Sequence, residues 1–249
     1  MKNTFLLVLL SAFVFRIGFA QEQQIVTVGL EPFPPFIDKS GQGLTVNMFK
    51  EIEQLTNLKF EVNIMTYARA KYQLSRNMLT IAGHTPKNLE SDDFYQYAIE
   101  LDWKIDTTSD LFTFDEKYFD LSNVASGKIG TTTGNAGFLA EILKIDQSRF
   151  IEVKELNHLV SMFVSGRVDV LVFERASVMH LLQERNVKNV FYKSIGQVPA
   201  SIAVANTDQG KRLKKILDDA IRQLDTDKIF ASYLKYTKLP ETGVVPESE

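Results

Sequence analysis

The stretch QIVTVGLEPFPPF, Gln24–Phe36, joins a strand to a rigid loop, and the fold follows from that junction. Gln24 to Leu30 alternates and is rich in β-branched side chains, as a strand does. Pro32, Pro34 and Pro35 then fix φ and remove backbone donors, so Glu31–Phe36 can be neither a helix nor a central strand. Working outward, Gly41 and Gly43 mark a turn, and Leu44–Leu58 carries Met48, Phe49, Ile52 and Leu55 at helical spacing. Lys59–Ile64 reads as the next strand, Tyr67–Asn77 as a short helix and Leu79–Ala82 as a buried strand. This β-α-β-α-β order predicts a mostly parallel sheet covered by helices.

The same style returns further along. Asp110–Phe114, Lys128–Thr131, Phe150–Val153 and the apolar Val168–Phe173 are expected strands. Asn135–Leu143, Leu156–Val164 and Ala176–Glu184 are the helices between and after them. Val190–Tyr192 and Ser201–Ala205 read as two further strands. Gln209–Leu224 places Leu213, Ile216, Leu217, Ala220, Ile221 and Leu224 on one helical face. A last helix is expected over Lys228–Tyr236, and a disordered tail over 241–249. Two α/β units imply two lobes. Ligands of such sheets bind beyond the carboxyl ends of the strands, which points to Glu31–Phe36, Thr66–Arg69, Gly83–Asn88, Thr132–Asn135 and Glu174–Arg175.

Composition narrows the chemistry. Lys2, the apolar run Phe5–Phe15 and Gly18-Phe19-Ala20 have the layout of a secretory signal, residues 1–20, with cleavage expected after Ala20 and a periplasmic destination. Losing Lys2 and Arg16 with that leader takes the formal charge from −3 to −5. A mildly acidic chain without clustered Lys and Arg lacks a nucleic-acid footprint. With no cysteine, it has no disulfide, no thiol nucleophile and no Cys-ligated zinc. The stretch Gly127–Asn135 lacks the Gly-Lys-Ser/Thr of a phosphate loop and the Gly-x-Gly-x-x-Gly of a dinucleotide turn. No Gly-x-Ser-x-Gly elbow or His-Glu-x-x-His helix occurs either. No catalytic residue, metal or cofactor is therefore expected.

VTVGLEPFPPF (Val26–Phe36), GLTVNMFKEI (Gly43–Ile52), YARA (Tyr67–Ala70), Thr85-Pro86, GKIGTTTGN (Gly127–Asn135) and SGRVDVLVFE (Ser165–Glu174) follow one another along the chain. In that order and spacing the chain resembles the family-3 bacterial extracellular solute-binding proteins, which mostly serve amino-acid importers. The resemblance implies an α/β, two-lobed periplasmic-binding-protein-like fold of type II. Each lobe would be a mostly parallel sheet flanked by helices, and two crossover strands would join them. Lobe 1 would take residues 21–105 and 200–240, and lobe 2 residues 106–199. A small-molecule ligand, ABC-importer membrane subunits or a membrane sensor, and a monomeric state are the implied partners and form.

The same resemblance implies a ligand site. Phe33 stands at the aromatic loop that covers the ligand, with Phe36 as core, and Tyr67 at a second aromatic wall. Thr85 begins what is a Thr-x-x-Arg motif in the family, whose Arg grips the ligand carboxylate. Here the fourth residue is Asn88, and an amide cannot reproduce the bidentate guanidinium fork. Arg69 on a neighbouring loop is the substitute. Gly134-Asn135-Ala136 matches the turn whose backbone N–H groups meet the carboxylate, and Glu174 stands where the family has an Asp for the α-amino group. Arg175 beside it would partly neutralise Glu174. Plainer readings stand beside these. Thr85-Pro86 is a good helix start, Asn135 a good N-cap, Tyr67 a surface aromatic, Arg69 a solvated cation, and His84 a satisfied structural histidine. The expected function is capture of a small polar solute, an amino acid or relative. The alternatives are a sensory module with a degenerate site, or a lyase using Glu174 or His84 as acid or base.

Overall fold

The computed structural model describes residues 23–247, so the expected leader and its cleavage point lie outside the described residues. The first unit runs β1 (Gln24–Leu30), α1 (Leu44–Leu55), β2 (Leu58–Ile64), α2 (Tyr67–Ser75), β3 (Ile81–Pro86), α3 (Asp92–Tyr97) and β4 (Ala98–Glu100). The second runs β5 (Ile105–Thr113), β6 (Ile129–Thr132), α4 (Ala136–Leu143), β7 (Phe150–Val153), α5 (Leu156–Val164), β8 (Val170–Glu174) and α6 (Arg175–Glu184). The chain returns through β9 (Phe191–Ala205) and closes with α7 (Asp208–Ile221), α8 (Thr226–Ile229), α9 (Leu234–Thr237) and β10 (Thr242–Val244).

Among the described residues the sheet order is β2-β1-β3-β9-β5-β8-β6-β7, with β4 and β10 also paired to β9. β1 is parallel to β2 and β3, and β6 is parallel to β7 and β8, so each lobe has its own parallel triplet. β9 and β5 run antiparallel to each other and carry the chain between the triplets. Amphipathic helices cover the faces: α1 buries Met48, Phe49 and Ile52, and α7 buries Leu213, Leu217, Ala220 and Ile221. This is the two-lobed, type II arrangement.

Three local expectations are corrected. Val190–Tyr192 and Ser201–Ala205 are the ends of one strand, β9. The polar, Gly- and Pro-bearing KSIGQVP between them, Lys193–Pro199, has no apolar pattern of its own and is held extended by β5 along its whole length. A register shift opposite Ser109/Asp110 absorbs the extra residue, and Gly196 there takes φ +126°, a conformation suited to glycine. The single helix expected over Lys228–Tyr236 is broken by a 3₁₀ turn at Ala231–Tyr233. Phe230, Tyr233 and Tyr236 are all buried at a spacing of three, which a 3₁₀ turn matches better than an α-helix.

The third correction concerns the tail. Thr242–Val244 is a strand, β10, antiparallel to the start of β9, and Val245 is buried with its N–H donating to Val190 O at 2.8 Å. A Gly-Val-Val segment beside an unpaired strand edge supplies both the ladder and the apolar anchor, which a composition-based reading overlooks. The preceding segment packs on the first lobe, through Phe230 on Trp103 (5.6 Å) and Tyr233 on Phe36 (4.7 Å). The terminus therefore straps one lobe to the other. Ending the chain at Pro240 is expected to cost about 1.5–3 kcal/mol, the worth of one buried aliphatic side chain, seen as a lower Tm by calorimetry; an unchanged Tm would deny the strap any weight.

Candidate functional site

The carboxyl ends of β1, β3, β6 and β8 meet between the lobes and line a tight cavity of about 50 Å³, concave and largely apolar with a few convergent polar groups, as small-molecule sites are. From the first lobe come Glu31, Phe33, His84, Thr85 and Pro86. The second gives Asn135, Phe138, Leu139, Phe173 and Glu174, and the crossover strands give Thr107, Ser109, Val198 and Ala200. The lobes are shut on it. Ser177 Oγ donates to Pro34 O across the cleft at 2.6 Å, and Asn135 Nδ2 lies 3.4 Å from Glu31 Oε1. Gly134 takes φ +98°, and a Cβ there would stand 3.1 Å from Ala68 N on α2, so this turn needs glycine to approach so closely.

Four of the seven residues expected from sequence line the cavity: Phe33, Thr85, Asn135 and Glu174. The Phe33 ring meets Phe173 of the other lobe edge-on at 5.9 Å, while Phe36 lies fully buried behind it. Thr85 Oγ1 is buried and has no hydrogen-bond partner among the described residues. It lies in β3, and α3 begins only after Ser91, so Thr85-Pro86 does not start a helix. Asn135 Nδ2 donates to Thr132 Oγ1 at 2.6 Å. Glu174 caps α6, accepting from the N–H groups of Ala176 (3.0 Å) and Ser177 (2.8 Å) and from the Tyr233 hydroxyl (3.1 Å).

The other three do not line it. Tyr67 is buried in the core beside the cleft, and its hydroxyl donates to Glu90 Oε1 at 2.7 Å. Arg69 follows two residues later on the same helix, about 200° round at 3.6 residues per turn, and with Tyr67 pointing inward it is exposed in a separate outer groove beside Thr66, Thr133 and Lys154. Asn88 is exposed in the turn beyond β3 at φ +63°, with its N–H bound to Glu100 Oε2 at 2.9 Å. Because β3 runs on through Pro86, Asn88, the fourth residue of the motif that Thr85 begins, is carried past the cavity.

The sequence reading missed Glu31 and underrated His84. Glu31 ends β1 as the first residue of the Pro-rich loop, and the strand-end rule that chose the loop also fits this carboxylate. Burial pushes Glu31 up to about 7, against the pull of Asn135, the Tyr67 backbone and Lys71. Burial pushes Glu174 up to about 7 as well, against the donors of α6 and Tyr233. His84 falls at a register shift of β3 between Gly83 and Thr85, which turns its ring into the cleft. Its Nε2 lies 2.7 Å from Thr45 Oγ1, its Nδ1 has no partner among the described residues, and burial lowers its pKa to about 3. Arg175 does not neutralise Glu174. It is committed to Asp110 through Nε (2.7 Å) and Nη2 (3.0 Å). Among the described residues no Lys or Arg lines the cavity, and its charge-bearing groups there are two carboxyls.

No protein-family model and no curated protein matches the sequence. Solved structures do match the fold. A mutant of ArgBP from T. maritima is 18% identical, with TM-score 0.68 over 86% of this chain and 96% of that one. An amino acid ABC transporter substrate-binding protein, AbpA from Streptococcus pneumoniae, bound to L-arginine, is 18% identical, with TM-score 0.68 over 87% and 97%. The Bordetella pertussis BvgS VFT2 domain is 15% identical, with TM-score 0.64 over 85% and 93%.

Proposed function

We propose that this chain is a solute-binding protein of the periplasm that closes two lobes on a small polar solute and presents the closed form to an ABC importer. The observation that carries this reading is the cavity itself, walled by both lobes at the carboxyl ends of four strands. A ligand that touches both walls only in the closed form favours that form by its differential affinity. Residues 21–105 with 200–240 serve as one lobe and 106–199 as the other, hinged on β5 and β9, with the C-terminal strap laid across both. Binding, not turnover, is the reading that fits a His84 whose Nε2 faces Thr45 and a Glu174 held by three protein donors. A membrane-sensor role is the second reading, favoured by the fit to the BvgS VFT2 domain.

A thermal-shift screen against amines, amino acids, carboxylates and neutral solutes tests the proposal. A ligand present at 100 times its Kd adds about 2.7 kcal/mol of stability, and the hit should shrink or leave compact the radius of gyration in small-angle scattering. No shift from any class would count against solute capture and for the sensor reading.

A further inference from the structure

Resting on that reading, we infer that the cleft is built for a small organic cation without a carboxylate, an amine or ammonium, held between Glu31 and Glu174. The means of holding a carboxylate are each spent or turned away. The fourth position of the motif begun by Thr85 is Asn88, exposed beyond β3, and Arg69 faces the outer groove. Lys71 Nζ is paired with Glu90 (3.2 and 3.1 Å) and donates to Gly134 O at 3.4 Å. The three backbone donors of the Gly134–Ala136 turn are already engaged within the protein. Gly134 N–H donates to Glu152 Oε1 at 2.7 Å, Ala136 N–H to the same oxygen at 3.3 Å, and Asn135 N–H to Thr132 O at 3.2 Å. A ligand carboxylate would thus meet two buried carboxyls and no free cationic donor.

The charge-bearing groups of the cavity attract positive charge. Glu31 and Glu174 are each over nine-tenths buried, come from opposite lobes and have no cationic side chain bonded to them. His84 and Thr85, each at least nine-tenths buried, line the cavity, and His84 Nδ1 and Thr85 Oγ1 have no hydrogen-bond partner among the described residues. Phe33, Phe138 and Phe173 complete the wall, and an aromatic ring attracts an ammonium group held over its face within about 6 Å of the centroid. Buried carboxylates are costly unless paired. An ammonium between them supplies the pairing and joins the lobes through it.

The test compares matched pairs by calorimetry: agmatine with L-arginine, cadaverine with L-lysine, histamine with L-histidine, with choline as a quaternary probe. At least one amine should bind tenfold or more tighter than its amino acid. Glu31→Gln and Glu174→Gln should each weaken that amine about 30-fold or more, the loss usual for one partner of a desolvated charge pair. Arg69→Ala should leave it within about threefold, as an exposed charge does. Circular dichroism of each variant guards against misfolding. An amino acid that binds as tightly as its amine overturns the cation assignment while leaving solute capture standing, and so does a neutral solute as the sole hit. No binding by any class overturns both.

Discussion

Arg175→Met is expected to cost about 3–5 kcal/mol of folding stability, the usual loss when one partner of a buried ion pair is removed. The guanidinium makes two bonds to the fully buried Asp110 and donates to Leu239 O at 3.1 Å and, more weakly, to Tyr236 O at 3.5 Å. It also lies 4.9 Å from the centroid of the Tyr192 ring. One side chain on α6 thus ties together crossover strand β5, crossover strand β9 and the C-terminal segment. Without it, Asp110 is a carboxylate with no water and no cation, and two carbonyls lose donors. The cost comes mainly from that stranded charge, so the double variant Arg175→Met/Asp110→Leu should recover much of it. Denaturant midpoints at constant m measure both. A loss below about 1 kcal/mol for the single variant, the range of an exposed pair, would place the ion pair in solvent rather than in the core.

The fold was legible because its signals are local. Gln24–Leu30 alternates, the prolines at 32, 34 and 35 end the strand, and α7 shows its buried stripe without help from the rest of the chain. The parallel triplets follow from element order. What was illegible depends on partners distant in sequence. Lys193–Pro199 is strand only because β5 lies beside it, and Thr242–Val244 only because β9 offers an edge. The site divides in the same way. Thr85 and Glu174, in the last residues of their strands, arrive where the strand-end rule sends them, and Asn135 does so through the tight turn after β6. Tyr67, Arg69 and Asn88 are one or more residues further on, where helix phase and turn conformation decide the direction of each side chain. Pairing was hidden too: nothing in the order Glu174-Arg175 shows that the arginine turns to Asp110, 65 positions away.

Raising the pH should open the ligand-free cleft. In the closed form burial holds the Glu31 carboxyl up to about 7 from an ordinary 4.5, whereas opening would return it to water and to that ordinary value. The closed form therefore binds more protons between about 4.5 and 7. Its advantage is complete at acid pH and is lost as the pH climbs through 7, by about 3 kcal/mol at 1.36 kcal/mol per pH unit. The groups facing Glu31 do not cancel this. Asn135 Nδ2 stands at 3.4 Å and is neutral, Lys71 is bonded to Glu90, and the His84 ring in the same cavity stays uncharged across the range. Glu174 adds less to opening, because its two α6 donors move with it on the second lobe. The radius of gyration of the ligand-free protein should thus be larger at pH 8.5 than at pH 5, and Glu31→Gln should remove most of the difference. A bound amine reverses the preference, since an ionised Glu31 is then paired and the cleft stays shut at alkaline pH. Equal radii at the two pH values, or a Glu31→Gln protein that still opens fully, would show that this carboxyl does not control the closed state.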